Sequence, residues 1–111
     1  MLLDLVEGGR DFRYRLYGSM IASISGFDMT GKLLSEHPAS PYVTEFAFAS
    51  YRAAVQRREP VFSERHPVGA VQATRWQRVA LPLIDDDGAV IRLLAGTAPI
   101  ARDGRTLRAK F

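Results

Sequence analysis

The chain has 111 residues, 47% of them apolar and 24% charged, a balance that specifies one folded domain and excludes both a disordered polymer and two separate cores. It has no cysteine, which removes disulfides, thiolate metal sites and cysteine nucleophiles together. The formal charge is +3, but residues 1 to 100 hold 11 basic and 11 acidic side chains, so the excess lies in 101 to 111, where Arg102, Arg105, Arg108 and Lys110 face only Asp103. The body is therefore electrically balanced and the basic part is a tail, read first as a solvated end and second as a weak nucleic-acid contact. No apolar run reaches the ~20 residues of a membrane-spanning helix, and Met1 to Leu5 carries an acid where a leader would carry bases, so a cytoplasmic protein is expected.

Leu2 to Glu7 reads as a first strand, with Gly8-Gly9 making the turn of a hairpin. In the second strand, alternation assigns Phe12, Tyr14 and Leu16 to the core and Arg13, Arg15 and Tyr17 to the opposite face. Ser19 is placed as the cap of a short helix ending at Gly26. Helical turns are expected over Lys32 to Glu36. Ser40-Pro41 starts the one long helix, of about 17 residues, and Pro60 stops it. Val43, Ala47, Tyr51, Ala54 and Val55 form its apolar face, which Phe46 and Phe48 broaden. Val61 to His66 and Thr74 to Ile84 read as strands separated by the break Pro67-Val68-Gly69. Asp85-Asp86-Asp87-Gly88 is a reverse turn, and Ala89 to Ala98 is the last strand. The result is an α+β domain without internal repeats.

The element order, with Phe12-Arg13-Tyr14-Arg15-Leu16, Tyr17-Gly18, Gly26-Phe27-Asp28, Thr30-Gly31-Lys32 and Leu81-Pro82-Leu83 followed by Asp87-Gly88, resembles the PAS domain over residues 2 to 100. It is most similar to a bacterial PAS-like subfamily with a Phe-Arg-Tyr-Arg-Leu-x-Gly signature. The resemblance implies a five-stranded antiparallel sheet with short helices and one long helix on one face, enclosing a small cavity used to sense ligands or to mediate dimerisation. Relatives of that kind carry a segment before the first strand that covers the outer face of the sheet. This chain starts almost on the strand, so its outer face needs another cover, or its start is truncated.

Tyr14, Leu16, Ile24, Phe27, Phe46, Tyr51 and Leu81 are the candidate ligand-pocket residues, each on an expected inner face; aromatics at such positions are more often plain core. With Val79, Leu81 and Leu83 inward beside Ile91 and Leu93, the opposite parity exposes Trp76, Ala80, Ile84, Val90, Leu94 and Ala98. Such a face is too apolar for water. A homodimer is therefore expected through the outer sheet face, with Arg13, Arg15, Tyr17, Trp76, Ile84 and Leu94 as interface candidates and Arg92 at its border. A bulge near Gln77 or Pro82 is the alternative that would turn Trp76 inward.

No catalytic or metal-binding set emerges. The only histidines, His37 and His66, lie outside the long helix from which a haem-binding PAS domain presents its ligand, and a photoactive flavin domain needs a cysteine. The three aspartates at 85 to 87 lack the spacing and closing glutamate of a calcium loop. No cofactor is expected; a small-molecule ligand and a signalling partner protein fit the resemblance. The reading from another class is a cone-shaped enzyme of the ketosteroid isomerase kind, which requires a carboxylate inside the cavity, where the alternation places none.

Overall fold

A computed structural model describes residues 1–66 and 75–100 of the chain. The expected break at Pro67 to Gly69, the expected strand start at Thr74 and the basic tail from 101 lie outside the described residues.

The elements follow the expected order closely. Strands β1 (Leu2–Val6) and β2 (Asp11–Leu16) are joined by a 3-10 turn, Glu7–Gly9, and are followed by helix α1 (Ser19–Ser25), a second 3-10 turn, Leu34–Glu36, and helix α2 (Pro41–Arg57). Strands β3 (Val61–Arg65), β4 (Arg75–Ile84) and β5 (Val90–Ile100) complete a single antiparallel sheet in the order β2-β1-β5-β4-β3. This is an open α+β architecture, consistent with the PAS-like class.

Helix ends follow local chemistry, with two corrections. Gly26 closes α1 at φ 87°, a left-handed conformation open to glycine at no steric cost. The residue that opens α1 is Gly18 rather than Ser19, which already lies inside the helix. Pro41 occupies the first turn of α2 as expected, but the Ser40 hydroxyl makes no capping bond and is buried without a partner.

One face of the sheet carries the core. Leu3, Phe12, Tyr14, Leu93, Ala80 and Ala95 pack there with Ala47, Tyr51 and Ala54 of α2 and with Met29 and Leu34 of the intervening loop. The aromatic centre is Phe12, whose ring meets Tyr51 edge-on at 5.5 Å. Small residues meet where α2 crosses the sheet: Ala47 and Ala54 on the helix, Ala80 and Ala95 on paired positions of β4 and β5. That close approach decides the faces of β4. Trp76, Arg78, Ala80 and Pro82 point inward, and Val79, Leu81 and Leu83 point outward, the reverse of the expected parity. Trp76 is inward without the bulge proposed near Gln77 or Pro82, because the β4–β5 register is continuous from Arg75 to Leu83 and shifts only between Leu83 and Ile84.

A second correction concerns β2. Leu3 pairs with Tyr14 but Leu2 pairs with Leu16, so Arg15 is an extra residue that bulges. The bulge turns Leu16 outward, where it is 57% exposed, and carries Tyr17 into the core, where it is 4% exposed. Simple alternation assigned both to the wrong side.

Candidate functional site

The signature segments first serve to build the inner face. The loop 28–33 docks on β2: the Tyr14 amide donates to the Lys32 carbonyl at 2.9 Å and the Gly31 amide to the Tyr14 carbonyl at 2.6 Å. Asp28 organises that loop by accepting from the Thr30 amide and hydroxyl at 2.9 and 2.8 Å, and these bonds hold its carboxyl below the usual range. Thr30 Oγ1 in turn accepts from the Tyr17 amide at 3.1 Å. The glycine-bracketed motif is thus the clamp that fixes the end of β2 after its bulge.

Across the centre of the inner face, Ser63, Arg78 and Thr97 lie side by side on β3, β4 and β5, in register. Above them stands α2. Ser50 Oγ and Ser63 Oγ are in hydrogen-bond contact at 3.3 Å, and Ser50 also donates to the Phe46 carbonyl at 2.9 Å. The Arg78 guanidinium carbon lies 5.1 Å from the centroid of the Tyr51 ring, and Arg65 lies 5.6 Å from the Trp76 ring in the same way.

This centre is short of acceptors. Arg78 Nε and Nη1, Arg65 Nε, Tyr51 Oη and Thr97 Oγ1 are all buried and make no hydrogen bond. The ion pairs of the described residues join Arg10 to Glu7, Arg15 and Arg92 to Asp4, and Arg75 to Glu64; none involves Arg65 or Arg78. A cation over an aromatic ring gains about 0.5–2 kcal/mol. Leaving a buried polar group unpaired costs about 1–3 kcal/mol each.

The surrounding titratable groups are held neutral. Burial, with Tyr51 and Tyr17 nearby, raises Tyr14 far above the ordinary phenol range despite the opposing pull of Arg78. Burial likewise raises Tyr17, whose hydroxyl meets Ser25 Oγ at 3.4 Å. Burial, then Arg78 and Arg65, lowers His37, whose Nδ1 accepts from the Ala39 amide at 3.1 Å. Burial and then Arg78 also lower Arg65, which stays charged at neutral pH. Two guanidiniums among neutral phenols and a neutral imidazole give a positive interior.

The expected pocket residues divide. Tyr14 and Tyr51 reach this centre. Phe27 packs on Tyr17 and His37, at 6.0 and 4.9 Å between centroids. Ile24 lines a groove of ≈ 220 Å³ between α1 and β5, together with Tyr17, Ala95 and Thr97. Phe46 is half-buried on α2 beside Tyr42, at 6.4 Å. Leu16 and Leu81 belong to the outer face. Arg78 and Thr97 were missed because the large apolar side chains of β4 were assigned inward; the alanines of α2, which need small residues beneath them, were the available signal.

The outer face carries a row of four leucines, Leu16, Leu2, Leu94 and Leu81, directly paired across β2, β1, β5 and β4. Leu94 is 44% exposed. Beside the row, Phe62, 80% exposed, with Val79 and Gly96 forms part of a groove of ≈ 660 Å³ bordered by Glu64, Gln77 and Ala98. Asp4, bonded to Arg15 at 3.0 Å and to Arg92 at 2.7 Å, makes a charged border. Of the interface candidates, Arg13, Arg15 and Leu94 lie exposed on this face, and Ile84 is exposed where β4 ends. Tyr17 and Trp76 instead face inward.

Elsewhere, Asp85 Oδ1 accepts from the Asp87 and Ala89 amides, both at 2.9 Å, as a turn residue does. His66 is exposed at the end of β3. No described helix is long and apolar enough to cross a membrane. Comparison with protein-family models, with curated proteins and with solved structures returns no match for this chain.

Proposed function

We propose that this chain is a non-catalytic PAS-like sensor or protein-interaction module of a bacterial, cytoplasmic signalling protein. It pairs with a second copy through the outer face of its sheet and takes a small ligand between α2 and the inner face. The observation that supports this reading is the leucine row on the outer sheet face, exposed at Leu16 and Leu94 and half-buried at Leu2 and Leu81. A sheet face of that composition is a usual place for a partner, since soluble monomers rarely expose a contiguous apolar patch of more than a few hundred Å². Leucines at the centre with a border of both charge signs suit a self-complementary two-fold contact. The ligand acts by its different affinity for two packings of α2 on the sheet, which shifts the pairing equilibrium.

Sedimentation velocity over a range of concentrations tests the pairing. A concentration-dependent dimer is expected, and Leu94→Arg is expected to convert it to a monomer of unchanged circular dichroism. A monomer at every concentration, or a dimer indifferent to Leu94→Arg, overturns the outer-face assignment.

A further inference from the structure

We propose that residues 105–110 dock as a sixth strand, antiparallel to β5 on its open edge, and reach it through a turn at Arg102-Asp103-Gly104. The inference goes beyond the function above and does not depend on it.

β5 has two neighbours along only part of its length. β4 pairs with it from Arg75↔Ile100 to Ile84↔Val90, whereas β1 pairs with it only from Asp4↔Arg92 to Leu2↔Leu94. The last bonds on the β1 side join Met1 and Ala95: the Ala95 amide donates to the Met1 carbonyl at 2.8 Å, and the Met1 nitrogen donates to the Ala95 carbonyl at 2.7 Å. Backbone groups point to alternate sides along a strand, so the Thr97 amide and carbonyl and the Pro99 carbonyl face the same side as those of Ala95. On that side no backbone group pairs with Thr97 among the described residues. Pro99 fits such a place, because a proline, which has no N–H, is tolerated in a strand where its nitrogen faces an unpaired edge. The groove of ≈ 220 Å³ beside α1 runs along this edge and is lined by Tyr17, Ile21, Ile24, Ala95 and Thr97.

The chain that follows β5 suits this edge in turn, register and polarity. A three-residue hairpin loop ends on a residue in the left-handed conformation, which Gly104 adopts at no steric cost. With Arg102-Asp103-Gly104 as that loop, Ala101 faces Arg105, and the register places Leu107 opposite Pro99, Arg108 opposite Ala98, Ala109 opposite Thr97 and Lys110 opposite Gly96. Hydrogen-bonded pairs then fall at Ala101, Pro99 and Thr97, the positions whose backbone groups face the open side. The new strand stops one residue short of the place opposite Ala95 that Met1 fills. Alternation puts Leu107 and Ala109 on the inner face, toward the apolar groove beside α1, and Thr106, Arg108 and Lys110 on the outer face. The basic residues also blunt the new edge against further strands. The tail becomes part of the sheet and is no free arm for nucleic acid.

NMR of the full chain tests the docking. A nuclear Overhauser contact is expected between the α protons of Ala98 and Arg108, which face each other in a pair without hydrogen bonds. The Thr97 amide is expected to exchange with solvent at least about tenfold more slowly in the natural sequence than in Leu107→Asp. Arg108→Asp, on the outer face, is expected to leave both unchanged. The Ala95 amide, bonded to Met1, is expected to stay protected in each variant. An unprotected Thr97 amide in the natural sequence, no contact between Ala98 and Arg108, or protection lost in Arg108→Asp and kept in Leu107→Asp overturns the proposal. Protection that disappears on dilution overturns it as well, in favour of a strand from a second copy.

Discussion

The guanidinium of Arg78 rests 5.1 Å from the ring centroid of Tyr51, yet its Nε and Nη1 and the hydroxyl of that same tyrosine all lack hydrogen-bond partners. A cation is thus held inside the protein by a ring and by the strand that carries it. Its strongest interactions are left unmade.

Arg78→Met is expected to stabilise the ligand-free protein. The substitution keeps an unbranched side chain of similar reach and removes two unpaired buried N–H groups. It also forfeits the ring contact, so the net gain is about 1 kcal/mol. Urea unfolding at pH 7 checks it; a loss of stability would show that the guanidinium is well solvated where it stands.

The β2 bulge predicts opposite outcomes for adjacent residues. Leu16→Ala removes an exposed side chain and should cost about 0.5 kcal/mol or less in chain stability. Tyr17→Ala removes a buried aromatic packed on Tyr14 at 5.2 Å and on Phe27 at 6.0 Å, and should cost about 3–5 kcal/mol. The same denaturation series read for both variants checks it, and comparable costs would rule out the bulge.

Asp4 links the outer face to pH. Slight burial pushes its carboxyl up, but the hydrogen bonds from Arg92 and Arg15 outweigh that and hold it below the ordinary range. A depressed carboxylate contributes stability that is present above its unfolded value near pH 4 and lost as pH falls through its folded value. Asp4→Asn should therefore cost up to about 1 kcal/mol at pH 7, since the pair is solvent-exposed, and the difference should vanish at the acid end. Unfolding curves at the two pH values measure it.

His37 reports the charge of the interior. Burial, Arg78 and Arg65 all favour its neutral form, so its imidazole should titrate below the ordinary value. The sign for stability follows from the lowered value: the contribution is intact above the ordinary imidazole pKa and is lost as pH falls through the folded one. Proton NMR is expected to show His37 titrating below the ordinary imidazole value, and moving upward in Arg78→Met. An unmoved His37 would mean that the guanidinium is screened from it.

Much of this fold is written plainly in the chain. Pro41 and Pro60 bracket the long helix, Gly26 ends the short one and Asp85 to Gly88 turns the last hairpin, because proline restricts its own backbone and glycine opens left-handed conformations to it. The sheet faces are harder to read. β4 is apolar on both parities, and the larger side chains, Val79, Leu81 and Leu83, suggest a core that the helix leaves no room for. Contact between α2 and the sheet selects Ala80 and Ala95, a tertiary constraint that no strand shows by itself. The bulge at Arg15 is equally silent, since the residues around it alternate well. Those two effects conceal the inner centre: alternation that turns Val79 and Leu81 inward puts Arg78 on the opposite face.

The extra residue at Arg15 also sets the frame of the strand. Every side chain from Phe12 to Tyr14 is counted from one side of the bulge and Leu16 and Tyr17 from the other, so without Arg15 plain alternation would put Leu16 outward and Tyr17 inward, on the faces they already hold. The bulge thus takes up one surplus residue while the wet and dry faces of β2 stay in step with the rest of the sheet, and the pairing with β1, not the count of residues, specifies which side each one takes.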